Sequence, residues 1–134
     1  MPSNSQNHVL EFSPFLKQLV HRHPEWLDEL QTTGRLENTS PPDAEVLATE
    51  IEKSGLDSAL RQFRNREMMR LIWRDLNELA PVDEVLADLS TLADVCLQAA
   101  VRFHSLTLEN KYGIPRSTDG QAQKIIIIGL GKLG

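Results

Sequence analysis

The residues with the clearest chemical potential lie together near the last position. Ile125-Ile126-Ile127-Ile128 run straight into Gly129-Leu130-Gly131-Lys132-Leu133-Gly134. Consecutive β-branched residues with no polar alternation are the pattern of a strand buried on both faces, as in the sheet of an α/β domain. Glycines after such a strand let the backbone approach a phosphate that a side chain would block. Several chemistries use that arrangement. Gly129, Gly131 and Gly134 fit the G-x-G-x-x-G dinucleotide fingerprint of a Rossmann-type, NAD-binding oxidoreductase, which also requires an acidic residue about 20 positions further on. A P-loop would place Lys132 on the phosphates, but its glycine spacing is not met and Leu133 stands where a magnesium-binding hydroxyl is required. In nucleotidyl transfer the turn holds the nucleotide's phosphates, and paired carboxylates on the next strand bind two metal ions for in-line attack at phosphorus. A strand-to-helix turn whose glycines serve geometry alone is the remaining alternative.

The elements that would carry this turn are helical. Ser13-Pro14 reads as an N-cap followed by proline at the first helical position. Pro24 ends that helix and opens a second, in which Trp26, Leu27 and Leu30 recur at helical spacing up to Gly34. Residues 35–42 read as a loop. A third helix runs from Asp43 to Ser54-Gly55 with Val46, Leu47 and Ile51 on one face. Asp57 or Ser58 is expected to cap a fourth, ending at about Leu79, with Leu60, Phe63, Met68, Leu71, Ile72, Leu76 and Leu79 as its apolar positions. Pro81 separates it from the longest helix, Val82 to Tyr112, whose Val82, Val85, Leu86, Leu89, Leu92, Ala93, Cys96, Ala100 and Phe103 form an i, i+3, i+4, i+7 stripe. Gly113 is its expected C-cap. The expected organisation is a disordered N-terminus over 1–12, a helical region over 13–112, a linker loop over 113–123, and a first strand with its glycine-rich turn over 124–134. The fold class is mainly α: a helical N-terminal segment leading into the first strand of a truncated α/β domain. One strand has no partner for its backbone N–H and C=O groups. The rest of the sheet is therefore expected outside these residues or in another chain.

Composition narrows the function. The chain has 134 residues, 40% hydrophobic and 25% charged, with a formal net charge of −5. The negative balance disfavours a broad nucleic-acid or membrane-surface role. No stretch approaches the roughly 20 apolar residues of a membrane span, and no signal-peptide pattern opens the chain, so a cytoplasmic location is expected. Cys96 is the single cysteine, which excludes an internal disulfide and reads as a packing thiol on an apolar stripe. Trp26 and Trp73 sit at core spacings. His8, His21, His23 and His104 show no metal-ligand spacing. Five arginines, Arg61, Arg64, Arg66, Arg70 and Arg74, crowd the fourth helix. Arg66, Arg70 and Arg74 share a face and could pair with carboxylates, clamp a phosphate, or face solvent. Asp83, Glu84 and Asp88 read as complements to the dipole of the longest helix.

The segment Leu60-Arg61-Gln62-Phe63-Arg64-Asn65-Arg66-Glu67-Met68-Met69-Arg70-Leu71-Ile72-Trp73-Arg74-Asp75-Leu76 resembles the L-R-x-F-R-x-R-E-M-x-R-I-x-W-R-D-L signature of the glutamine synthetase adenylyltransferase/adenylyl-removing enzyme family, with a minor departure at Leu71-Ile72. His23-Pro24-Glu25-Trp26-Leu27 is similar to that family's R-x-P-x-W-L segment, and Ile128 to Gly134 resembles its G-M-G-K-L-G turn. The motifs occur in the family's order. The resemblance implies a long bifunctional parent enzyme of nitrogen metabolism. An N-terminal nucleotidyltransferase-like domain would remove AMP from glutamine synthetase by phosphorolysis, and a second such domain would add AMP from ATP. A helical region between them would respond to the PII signalling protein. This chain would be the start of the adenylyl-removing half and inactive by itself. Gly129, Gly131, Lys132 and Gly134 would face the nucleotide. The family's metal-binding S-D-x-D carboxylates are not among these residues, so no catalytic or metal-ligating residue carries over. Mg2+ and ATP/ADP would serve the parent, with none bound by this fragment. Glutamine synthetase and PII would be its partners, without nucleic acid or membrane. The alternative of a different class is a helical interaction module whose apolar faces dock another chain.

Overall fold

A computed structural model describes residues 9–131. Its helices are α1 (Pro14–Arg22), α2 (Pro24–Thr32), α3 (Ala44–Ser54), α4 (Leu56–Leu76) and α5 (Val82–Tyr112). Their boundaries follow from local chemistry. The Leu16 N–H donates to Ser13 Oγ at 3.1 Å and Pro14 opens α1. His23 ends α1 and precedes Pro24 at the start of α2. Asp43 caps α3 by accepting from the Glu45 N–H at 2.9 Å. The α5 limits are those expected, with Gly113 at φ 83° closing the helix and its N–H donating to Glu109 O at 2.8 Å.

Other expectations are corrected. Residues 9–12 are helical and Val9 lies in the core, so the terminal disorder expected through residue 12 does not extend to them; residues 1–8 lie outside the described residues. Neither Asp57 nor Ser58 caps α4. Gly55, at φ 80°, ends α3 and immediately precedes Leu56, leaving Asp57 in the first turn of α4. α4 stops at Leu76 rather than Leu79. Glu78 adopts φ 56° and the Leu79 N–H returns to Arg74 O at 2.8 Å, which breaks the helical path. Leu76 and Leu79 consequently face solvent.

α4 is the centre of the fold: α1, α2, α3 and α5 all pack against it, and α3 also meets α5. Ten of its 21 residues are buried. Met69 and Trp73 join Val9, Leu16, Leu19, Trp26, Leu30 and Leu36 in one apolar cluster. Ala59, Phe63 and Leu71 join Leu47 and Leu92 in a second. Trp26 also stacks on the His23 ring, with centroids 3.8 Å apart.

Along α4, Arg66, Glu67, Arg70 and Arg74 are buried as well. Arg70 Nε donates to Glu67 at 2.9 Å and its Nη2 to Asp88 of α5 at 2.8 Å. Glu67 also accepts from Arg35 at 2.7 Å. Arg74 reaches Glu84 of α5 at 2.7 Å, Leu36 O at 3.0 Å and Leu79 O at 3.2 Å. Arg66 pairs with Glu50 of α3. Asp88 and Glu84 are therefore tertiary partners and not merely dipole complements.

The pairs Arg74–Glu84 and Arg70–Asp88 set α4 and α5 antiparallel. Continuing that register at about 1.5 Å per residue, Leu56 at the start of α4 comes level with about residue 102 of α5. The last turns of α5 overhang their partner. This is why Phe103, Leu106, Leu108 and Tyr112 are exposed although the stripe is regular. Val82 and Leu86, at the other end of the stripe, are exposed too.

The expected strand is not formed over 124–130. Among the described residues the β pairing consists of one isolated bridge, Arg116 to Ala122, and 123–130 lies outside any helix or sheet. Among the described residues no second strand lies beside it to take its backbone groups. Among the described residues no helix is long and apolar enough to cross a membrane.

Replacing Arg70→Ala strands Glu67 and Asp88 in the interior and is expected to cost about 3–5 kcal/mol in urea denaturation. Arg61→Ala, at an exposed position of the same helix, is expected to stay within about 0.5 kcal/mol.

Candidate functional site

The expected nucleotide-facing turn is described in part. Gly129 and Gly131 are exposed; Lys132 and Gly134 lie outside the described residues. Gly131 has φ +67°, and a Cβ there would meet nothing within 4 Å. The constraint at Gly131 is therefore conformational: the left-handed region suits glycine, and the space above it is open to an incoming group.

Residues 113–123 deliver the chain to this point. They form a small closed hairpin. The Ser117 N–H donates to Gln121 O at 2.9 Å, the Gly120 N–H to Ser117 O at 2.9 Å, and the Gln123 N–H to Pro115 O at 2.8 Å. Gly120 supplies the positive φ, 85°, and Arg116 Nη1 donates to Gly120 O at 2.9 Å. Ser117 Oγ donates to Asp119, holding that carboxyl below its ordinary value, with the Gln121 backbone adding to the effect. The hairpin reverses the chain, so 123–129 runs back along the distal half of α5 and opens a groove of about 820 Å³ between them.

The arginine face of α4 does not form an anion site. Arg35, Arg66, Arg70 and Arg74 meet Glu50, Glu67, Glu84 and Asp88, so the charges close within the bundle. Arg70 Nη1 and the Nε atoms of Arg66 and Arg74 have no acceptor among the described residues. A phosphate placed there would bring net negative charge into a neutral, buried cluster. Arg61 and Arg64 are exposed. Among the described residues no three His, Cys, Asp or Glu side chains form a metal-holding group.

Spacing along α4 alone allows the local Glu67–Arg70 pair, which the structure forms, and Glu84 and Asp88 read in sequence only as dipole complements, although a signal for deeper pairing exists. Glu67, Arg70 and Arg74 follow Phe63 at i+4, i+7 and i+11, on the stripe that buries it, and Asp88 sits between Val85 and Leu92 on the stripe of α5. Charges at core positions require partners.

A family model described as glutamate-ammonia ligase adenylyltransferase matches residues 4–134. This chain belongs to the glutamate-ammonia ligase adenylyltransferase family. A bifunctional glutamine synthetase adenylyltransferase/adenylyl-removing enzyme of Shewanella frigidimarina is 37% identical over 131 residues, covering 94% of this chain and 14% of the relative. A protein of the same description from Thioalkalivibrio sulfidiphilus is 35% identical over 130 residues, covering 91% of this chain and 13% of the relative. The chain thus spans about one seventh of the length of these adenylyltransferase-family proteins. The resemblance drawn from the motifs around Trp26, Arg70 and Gly131 is confirmed at the level of family.

Cys96 packs, half-buried, against the second apolar cluster. Burial pushes its thiol above the ordinary value of 9.0; Arg64 pulls it back and Glu67 pushes it further up. The folded chain thus holds the thiol proton more tightly than the unfolded chain does. Its contribution to stability is full below the ordinary thiol value and declines as pH rises through it. Alkylation of Cys96 at neutral pH is expected to be slower in the native chain than in the urea-unfolded chain, a comparison a thiol-reactive chromophore reads directly.

Proposed function

We propose that this chain is the N-terminal part of a bifunctional enzyme that adenylylates and deadenylylates glutamine synthetase, and that it belongs to the adenylyl-removing half. The observation that carries this is the match, over more than nine-tenths of the chain, to relatives of that description. In the parent, Gly129, Gly131, Lys132 and Gly134 form the turn facing the nucleotide, and 124–128 is the first strand of a nucleotidyltransferase-like domain. The left-handed, uncovered Gly131 supports this, because a phosphate can approach its backbone without meeting a side chain.

The reaction is phosphorolysis. Inorganic phosphate attacks the phosphorus of the AMP group, the bond to glutamine synthetase breaks, and ADP leaves. The part assigned to this chain is to seat phosphate oxygens against the backbone of the turn. Magnesium and ATP or ADP are proposed for the parent enzyme, in the cytoplasm, with PII as regulatory partner. The described residues do not fit a metal site, so no step is assigned to metal here. The 134-residue chain, without the remainder of the parent, is proposed to be inactive.

Two measurements test this. Purified 134-residue chain, given adenylylated glutamine synthetase, phosphate and Mg2+, is expected to release no ADP above the blank; turnover would overturn the inactivity. In the full-length polypeptide, Gly131→Val forces a β-branched residue into left-handed backbone, a strain of about 1–3 kcal/mol. It is expected to lower deadenylylation kcat/KM by about tenfold or more while leaving adenylylation unchanged. Loss of adenylylation instead would place the turn in the other half.

A further inference from the structure

The groove between α5 and the segment after the hairpin has two unlike walls. On α5, Leu97, Val101, Ser105, Leu108 and Tyr112 succeed one another at three- and four-residue steps and line it. The opposite wall is Ile125 and Ile127. Exposure along the segment alternates: Ile125 and Ile127 are 67% and 50% exposed, Ile126 and Ile128 are 83% and 77%. The segment therefore has a strand's two-residue period, with one apolar face toward α5 and another away from it. Among the described residues, the backbone of 124–130 makes no hydrogen bond. Among the described residues the segment has no strand on either edge, no layer over its outer face, and an open groove between its inner face and α5.

We propose that the distal half of α5, residues 97–112, is the helical cover for one face of a β-sheet supplied by the same polypeptide beyond this chain, with 124–130 as an interior strand. Side chains of the neighbouring strands would fill the groove. This rests on reading 124–130 as a strand, and not on any nucleotide role of Gly131. The length for such a sheet is there: the relatives are about seven times as long as this chain. Other occupants fit less well. A second copy would bring one more isolated strand, leaving an outer edge and the outer isoleucine face of each copy bare. A small apolar molecule could fill 820 Å³, but the backbone of 124–130 would stay unpaired. The groove's charged residues, Asp94, Glu109, Arg102 and Lys124, balance one another and give no field for a strongly charged partner.

Hydrogen exchange of the 134-residue chain and of the full-length polypeptide, each with and without Leu108→Asp, tests this. Leu108 is half-exposed here, so the variant is expected to leave the melting temperature of the 134-residue chain unchanged. Amides of 124–130 are expected to exchange at least about 100-fold more slowly in the full-length protein than in the 134-residue chain. Leu108→Asp is expected to speed that exchange about tenfold or more, and to lower the melting temperature of the full-length protein alone. Protection of 124–130 that Leu108→Asp does not disturb overturns the α5 cover and leaves the strand intact. No protection in either protein overturns both. Slow exchange already in the 134-residue chain, at the mass of a dimer, assigns the groove to a second copy and overturns the proposal.

Discussion

A guanidinium taken fully out of water costs several kcal/mol unless carboxylates meet it. Arg70 is 0% exposed, and its position in the middle of α4 admits few solutions. Glu67 approaches from the preceding turn and Asp88 from α5. Glu67 in turn takes Arg35 from the loop after α2, and the next turn of α4 repeats the device with Arg74, Glu84 and the Leu36 carbonyl. Once these contacts are made, α5 can sit in only one register against α4, and the 35–40 loop is drawn onto the bundle. Apolar packing alone would tolerate sliding by a turn; directional, charge-closing hydrogen bonds do not.

The apolar clusters sit on either side of this requirement. α4 contributes to both, so the short helices α1 and α2 share one centre with the longer α3–α4–α5 arrangement. Helices of nine residues are marginal alone in water. α1 and α2 persist because Leu16, Leu19, Trp26 and Leu30 find Met69 and Trp73. The same arrangement also uses up the cations that, read along α4 alone, could have clamped a phosphate.

Length sets the other boundary of the fold. α5 has 31 residues and α4 has 21, and an antiparallel pair of unequal helices leaves an overhang. The hairpin at 113–123 then folds the chain back along that overhang. The exposed isoleucines and the distal stripe of α5 thus face a common space, although neither touches a core.

The sequence by itself determined the local structure. Ser13-Pro14, Pro24, Asp43, Gly55, Pro81 and Gly113 mark boundaries that hold to within a few residues, because caps, fixed proline φ and left-handed glycine act within one turn of chain. It also determined the family, through three ordered motifs around Trp26, Arg70 and Gly131. What only the tertiary structure decided was partnership. The stripe position of Asp88 signals a need for a partner, but which cation Glu50, Glu84 and Asp88 each meet is fixed only once α3 and α5 lie against α4. The all-isoleucine run carries a strand's composition, but a strand is a relation between two backbones, and no neighbour for 124–130 lies among the described residues. Local propensity is a property of the residue; pairing and burial are properties of what the fold brings beside it.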